Sequence, residues 1–159
     1  RYKIGDTIKF TSLDPFRIKV SGRTKHFINA FGEEVIIENA EAAITHACEA
    51  TNAVITDYTA GPVYMGDASK GRHEWIIEFS QTPDNQALFD KILDETLRQV
   101  NSDYDAKRYK DMALLPPKIH HVEAGTFYHW MAKRGKLGGQ NKVPRLSNDR
   151  KIAEELIRL

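Results

Sequence analysis

Ala40, Ala43, Ile44, Ala47 and Cys48 recur at i, i+3, i+4, i+7 and i+8, so they line one stripe of an amphipathic helix, with Asn39 placed to cap it. A stripe of that kind has to be buried against another element, which makes Cys48 a core residue. A second helix is expected with Thr82 as N-cap and Pro83 at its first position, carrying Leu88, Ile92, Leu93, Leu97 and Val100 on one side. Phe127, Trp130 and Met131 mark a third, and Ser147 or Asn148 is placed to cap a last one carrying Ile152, Ala153 and Leu156. Between the helices, strands are expected at 7–10, 16–20, 53–60, 73–80 and 117–122. In the fourth, Trp75, Ile77 and Phe79 alternate with Glu74, Ile76 and Glu78, the pattern of a half-buried strand. Strands and helices that alternate irregularly predict an α+β fold.

Charge and cysteine usage exclude several classes of function. The 159 residues carry 23 Lys+Arg against 22 Asp+Glu, a net charge of +1, which gives no field suited to nucleic acid. No apolar run approaches the roughly 20 residues of a membrane helix, and no secretory signal is visible. Cys48 is the only cysteine, so no intramolecular disulfide forms and a reducing, cytoplasmic setting is expected. The chain enters at Arg1 directly into the strand-like run RYKIGDTIKF, and is expected to be a piece of something larger.

Four segments could carry chemistry. Gly5 and Asp6 precede a strand, where such a pair is ordinarily a turn, although the carboxylate is of the kind that accepts hydrogen bonds from two ribose hydroxyls. GRTKHFINAFGEEV sets Arg23 just before Lys25 and an aromatic strand, then a tight turn at Gly32 before Glu33 and Glu34; alone it reads as a hairpin with a solvated rim. Tyr104 and Arg108 are four apart, the spacing of a surface pair on one helical face. Finally, the stretch RGKLGGQNKVPR, from Arg134 to Arg145, puts Lys142 on a mobile glycine-rich loop stopped by Pro144.

Taken together, YKIGD, an arginine followed two later by a lysine, a glycine–glutamate turn opening a helix and a distant lysine in a glycine-rich loop resemble the adenylate-forming superfamily of acyl-CoA synthetases and luciferases. The resemblance is closer to its auxin-responsive branch, the acyl-acid amido synthetases: RYKIGD is similar to that branch's RYRVGD, AVITDYTA to its strand around Asp-Tyr-Thr, and AGTF and GGQNKVPR to its GTF and QYKTPR elements. Where plant members have Asp-Lys-Thr this chain has Glu34, Val35 and Ile36, so plant hormone specificity is not carried over.

The resemblance implies the small C-terminal domain of such an enzyme, a short mixed or antiparallel sheet with flanking helices. Residues 1–24 would be the terminal strands of the large N-terminal domain and 25–159 a mobile C-terminal domain. It assigns Asp6 to the ribose hydroxyls of ATP, Arg23 to the ribose and phosphates, Lys25 to the hinge, and Lys142 to the nucleotide site in the adenylating pose. Mg²⁺ would come with ATP, held by phosphates and water. The histidines give no protein-built metal site, since His120 and His121 point to opposite faces of a strand and His73-Glu74 lacks the second histidine of a zinc motif. Phe127, Tyr128 and Trp130 are expected to be helix packing. The implied partners are the large N-terminal domain of the same chain, a small carboxylic acid and an amino acid, with no nucleic acid and no membrane. Thioester formation with coenzyme A is the nearest alternative, and a free-standing α+β interaction module the alternative of another class.

Overall fold

The computed structural model describes residues 5–23, 26–64, 66, 70–111, 113–139 and 141–159, and only the backbone at residues 6, 7 and 21–23. Strands β1 (Asp6–Leu13) and β2 (Phe16–Arg23) form an antiparallel hairpin that is a sheet of its own. Ile8 lies across from Val20, Phe10 from Ile18 and Leu13 from Phe16, and all six are more than half exposed. Short strands β3 (Phe27–Ile28) and β4 (Val35–Ile36) then pair around the turn at Gly32, whose φ of 85° suits glycine.

Helix α1 (Ile37–Thr51) buries Ala40, Ala43, Ile44 and Ala47 as their spacing requires, with Cys48 half-buried against the same core. Asn39 does not precede the helix but lies in its first turn, where its Oδ1 accepts the Ile36 N–H at 3.1 Å. Helix α2 (Gln86–Val100) starts later than Thr82 and Pro83 suggest. Asn85 is the residue whose side chain reaches a first-turn donor, the Leu88 N–H, at 3.0 Å. Its buried stripe is Phe89, Leu93 and Leu97, with Ile92 partly buried against the same core; Leu88 and Val100 lie beside it and stay exposed.

The main sheet has the order β5 (Val54–Val63), β6 (Arg72–Gln81), β7 (Lys118–Val122), antiparallel between the first two and parallel between the last two, and is therefore mixed. Trp75, Ile77 and Phe79 face α1 and α2 in the larger core. Ile76 faces the other way, onto Phe127, Trp130 and Met131 of α4 (Thr126–Lys133) and Leu156 of α5 (Lys151–Ile157). Strand β6 is thus buried on both faces rather than one. Its two glutamates tolerate this because both are paired: Glu78 accepts the Gly125 and Phe127 N–H groups at 2.9 and 3.0 Å, and Glu74 takes Arg150 at 2.7 Å. Glu78 thereby caps α4, a helix N-terminus that favours a carboxylate. For α5 it is Asp149, and not Ser147 or Asn148, that accepts a first-turn donor, the Lys151 N–H at 3.0 Å.

Helix α3 (Ser102–Arg108) corrects a further expectation, because Tyr104 and Arg108 are buried and not a surface pair. Both reach Asp94 of α2: Tyr104 Oη donates at 2.8 Å, and the Arg108 guanidinium donates through Nε at 2.9 Å and Nη2 at 2.7 Å. Among the described residues no helix is long and apolar enough to cross a membrane.

Candidate functional site

The segment between α4 and α5 carries the candidate lysine. Helix α4 ends at Arg134, and Gly135 (φ 64°) turns the chain while the Gly135 and Lys136 N–H groups bond back to Ala132 and Met131. Gly138 (φ 79°) and Gly139 (φ 66°) have no atom near a would-be Cβ, so it is backbone conformation and not crowding that calls for glycine there. Lys142 follows, exposed and without a hydrogen bond or ion pair among the described residues. The next residue, Val143, is buried in the core beneath α4 and α5.

From Pro144 onward the segment is fastened to the free edge of β5. Thr59 Oγ1 donates to the Pro144 carbonyl at 2.7 Å, the Ala60 N–H to that of Arg145 at 2.9 Å, and the Ser147 N–H to that of Ala60 at 3.0 Å. This covers an edge that would otherwise be left unpaired. Arg145 itself lies 4.6 Å above the Tyr58 ring, donates to the Tyr58 carbonyl at 3.2 Å and forms an ion pair with Asp57. Tyr58 is fixed in turn by a hydrogen bond to Glu41 at 2.7 Å and by stacking on Trp75 at 5.8 Å. Burial, then the Glu41 carboxylate, push the Tyr58 hydroxyl well above the usual phenol range, so it stays a neutral donor.

Lys142 lines an open cleft of about 1420 Å³ together with Lys136 of its own loop, Lys19 and Val20 of β2, and Phe127 and Met131 of α4. The cleft is apolar on its α4 side, and its charged lining is mixed, with Glu38, Asp57 and Glu78 beside the lysines and Arg145. At the open end of the hairpin, the β1–β2 register sets Asp6 opposite Arg23, so two of the residues singled out from the sequence are brought together by strand pairing. Lys25 and Gln140 lie outside the described residues. His120 stands 3.2 Å from Glu74 on one face of the sheet and His121 packs on Phe79 on the other. Burial, only partly opposed by Asp90, lowers the His121 pKa. Among the described residues no three His, Cys, Asp or Glu side chains are grouped to hold a metal.

Two features escaped the sequence reading. Glu33, expected on a solvated rim, is fully buried: it accepts the Ala30 and Phe31 N–H groups at 3.2 and 2.7 Å and pairs with His73 at 2.8 Å. Burial favours the neutral carboxyl, but the hydrogen bond and charge of His73 with the turn's N–H donors outweigh it and hold the pKa below the ordinary value. The Arg145–Tyr58–Asp57 contact was likewise unforeseen, although Asp-Tyr-Thr and Pro-Arg stood out as separate strings. Of the aromatics expected to pack α4, Phe127 and Trp130 are buried and Tyr128 is exposed.

This arrangement of a mixed sheet with helices on both faces is an α+β fold that the chain shares with solved acyl acid amido synthetases. A solved structure named GH3.15 acyl acid amido synthetase matches 99% of this chain with a TM-score of 0.74 at 22% identity. Another, AtGH3.15 acyl acid amido synthetase in complex with 2,4-DB, matches 99% with a TM-score of 0.76 at 19% identity. The chain spans 31% and 30% of the length of those two proteins. The model of the GH3 family C-terminal domain matches residues 38–151, and the chain belongs to the GH3 family. No curated protein matches it.

Proposed function

We propose that this chain is the lid domain of an ATP-dependent, AMP-forming ligase that joins a carboxylic acid to the amine of an amino acid, working in the cytoplasm. The observation that carries the reading is Lys142: an exposed ammonium, unpaired among the described residues, that follows a double glycine and directly precedes a buried, sheet-anchored segment. In the first step the substrate carboxylate attacks the α-phosphorus of ATP and pyrophosphate leaves. Lys142, brought over the nucleotide, stabilises the charge that builds on the phosphoryl oxygens where water is excluded. In the second step the amine attacks the acyl carbonyl, loses a proton and expels AMP.

Asp6 would hold the ribose hydroxyls and Arg23 the ribose and phosphates, a role for a permanently charged planar fork. Their pairing across the hairpin supports a shared ligand. Mg²⁺ would enter with ATP, with no residue of this chain assigned to it. Residues 1–24 would belong to a large upstream domain and 25–159 to the lid, with Lys25 as hinge. The hairpin's separate sheet and exposed apolar face support that division. The complete protein, carrying the proposed upstream domain, tests the reading. Acid-dependent pyrophosphate exchange and AMP-coupled amide formation are expected, whereas a thioester product with coenzyme A, or no exchange with any acid, would overturn it.

A further inference from the structure

Among the described residues Lys142 has no partner of its own to define where it stands, so its position has to come from the chain on either side. On one side are two glycines in the left-handed region, a poor fixing point. On the other, the chain enters the core at Val143 and is fastened within three residues. A stretch of three residues spans at most about 10–11 Å, and Pro144 within it has its φ locked, so a displacement of Arg145 is passed to Lys142 with little slack.

We propose that Arg145 is the positioning residue for Lys142, acting through its clamp on Tyr58 and Asp57; the proposal rests on the adenylation reading above. Three contacts converge on one guanidinium: the face of the Tyr58 ring at 4.6 Å, the Tyr58 carbonyl at 3.2 Å and the Asp57 carboxylate. They use the planar fork and its π-face together, which an ammonium cannot reproduce. The receiving side is rigid as well. Asp57 accepts the Tyr58 N–H at 2.9 Å and lies at an irregularity in the β5–β6 register, the kind of bulge that re-aims side chains, while Tyr58 is held by Glu41 and Trp75. Arg145 lines the same cleft as Lys142, yet its charge is already committed to Asp57. That makes it an anchor rather than a free cation for a ligand.

The complete protein tests this with Arg145→Gln, Arg145→Lys, Lys142→Ala and the double variant Lys142→Ala/Arg145→Gln. Misplacing a reactive group by an ångström costs on the order of 10²-fold, so Arg145→Gln is expected to slow pyrophosphate exchange by about that factor with the KM for ATP held. Amide formation from supplied acyl adenylate should be spared, Arg145→Lys should fall between, and Arg145→Gln should add nothing in the Lys142→Ala background. Hydrogen exchange at the Ala60 and Ser147 amides should quicken in Arg145→Gln while the β6 amides keep their protection. A wild-type exchange rate for Arg145→Gln, additive losses in the double variant, equal loss of both half-reactions, or unchanged amide protection overturns the proposal. If Lys142→Ala itself adenylates at the wild-type rate, the functional reading falls and takes the proposal with it; if Lys142→Ala is slow and Arg145→Gln is not, the reading stands and only the proposal falls. Should Arg145→Gln lose its thermal transition, Asp57→Asn, which removes the ion pair and leaves the ring contact, is held to the same coupling with Lys142→Ala.

Discussion

The Glu33 carboxylate and the His73 imidazole meet at 2.8 Å with neither side chain exposed, forty residues apart in the chain. Glu33 also gathers the N–H groups of Ala30 and Phe31, so a single buried carboxylate shapes the Gly32 turn and ties it to β6. Glu33→Ala would leave the buried histidine and two amides without their partner. A loss of about 3–5 kcal/mol is expected from urea denaturation at neutral pH, the cost of breaking a buried pair from one side.

The same pair, with Glu74, predicts the acid limb of stability. Burial would raise both carboxyls, but the His73 contact and turn amides around Glu33, and Arg150 and His120 around Glu74, bring both pKa values below the ordinary one. A carboxyl depressed by folding lends stability above its unfolded pKa and loses it as pH falls through its folded pKa. The urea midpoint should therefore hold down to the ordinary carboxylate range and drop below it. Glu33→Gln should shallow that drop, and an acid limb unchanged by the substitution would count against the account.

Asp94 receives Tyr104 and a bidentate Arg108 beneath α3, which itself donates to the Leu114 carbonyl at 3.0 Å. Asp94→Ala leaves Arg108 its ion pair with Asp111 and its bond to the Leu114 carbonyl but deprives the buried Tyr104 hydroxyl and two guanidinium N–H groups of their acceptor, and should cost about 1–3 kcal/mol, whereas replacing Asp94, Tyr104 and Arg108 together by apolar residues of similar volume should be near neutral. Thermal melts of the single and triple variants compare the two, and equal losses would refute the prediction.

Lys142→Ala in the complete protein is expected to slow adenylation by about 10²–10³-fold, the 2.7–4 kcal/mol of a lost transition-state donor. Its stability should stay within about ±0.5 kcal/mol, since the side chain is exposed and, among the described residues, unpaired. Transfer from supplied acyl adenylate should be largely spared. Pyrophosphate exchange and single-turnover amide formation measure the two steps separately.

The apolar face of the hairpin gives a prediction for the chain by itself. Phe10→Lys together with Ile18→Glu puts an opposite-charge pair on facing positions 54% and 59% exposed, so the isolated chain should melt within about 0.5 kcal/mol of wild type and self-associate less in light scattering. The complete protein, where the proposed upstream domain covers that face, should be destabilised by the same change. A double variant tolerated equally in both would argue against the division at residue 24.

Periodicity sufficed wherever one element answers to its own residues. The alanine stripe of α1, the hairpin strands and the Phe127–Trp130–Met131 face of α4 follow from spacing alone, because side chains three or four apart in a helix, or two apart in a strand, share a face whatever packs against them. The order of motifs likewise led to the family and marked Lys142. Caps were less legible, since Thr82, Asn85 and Ser147 are all good capping residues by type and only the coordinates of the first turn select among them. What spacing could not reach were the charges settled by distant partners. Glu78 reads as an outward-facing strand residue until α4 sets its N-terminus over it, Glu33 as a rim residue until β6 delivers His73, and Arg145 as a loop end until β5, 88 residues earlier, presents Asp57. A carboxylate or guanidinium is buried only where packing brings it a counter-charge or hydrogen-bond donors, and that pairing is a property of the tertiary structure.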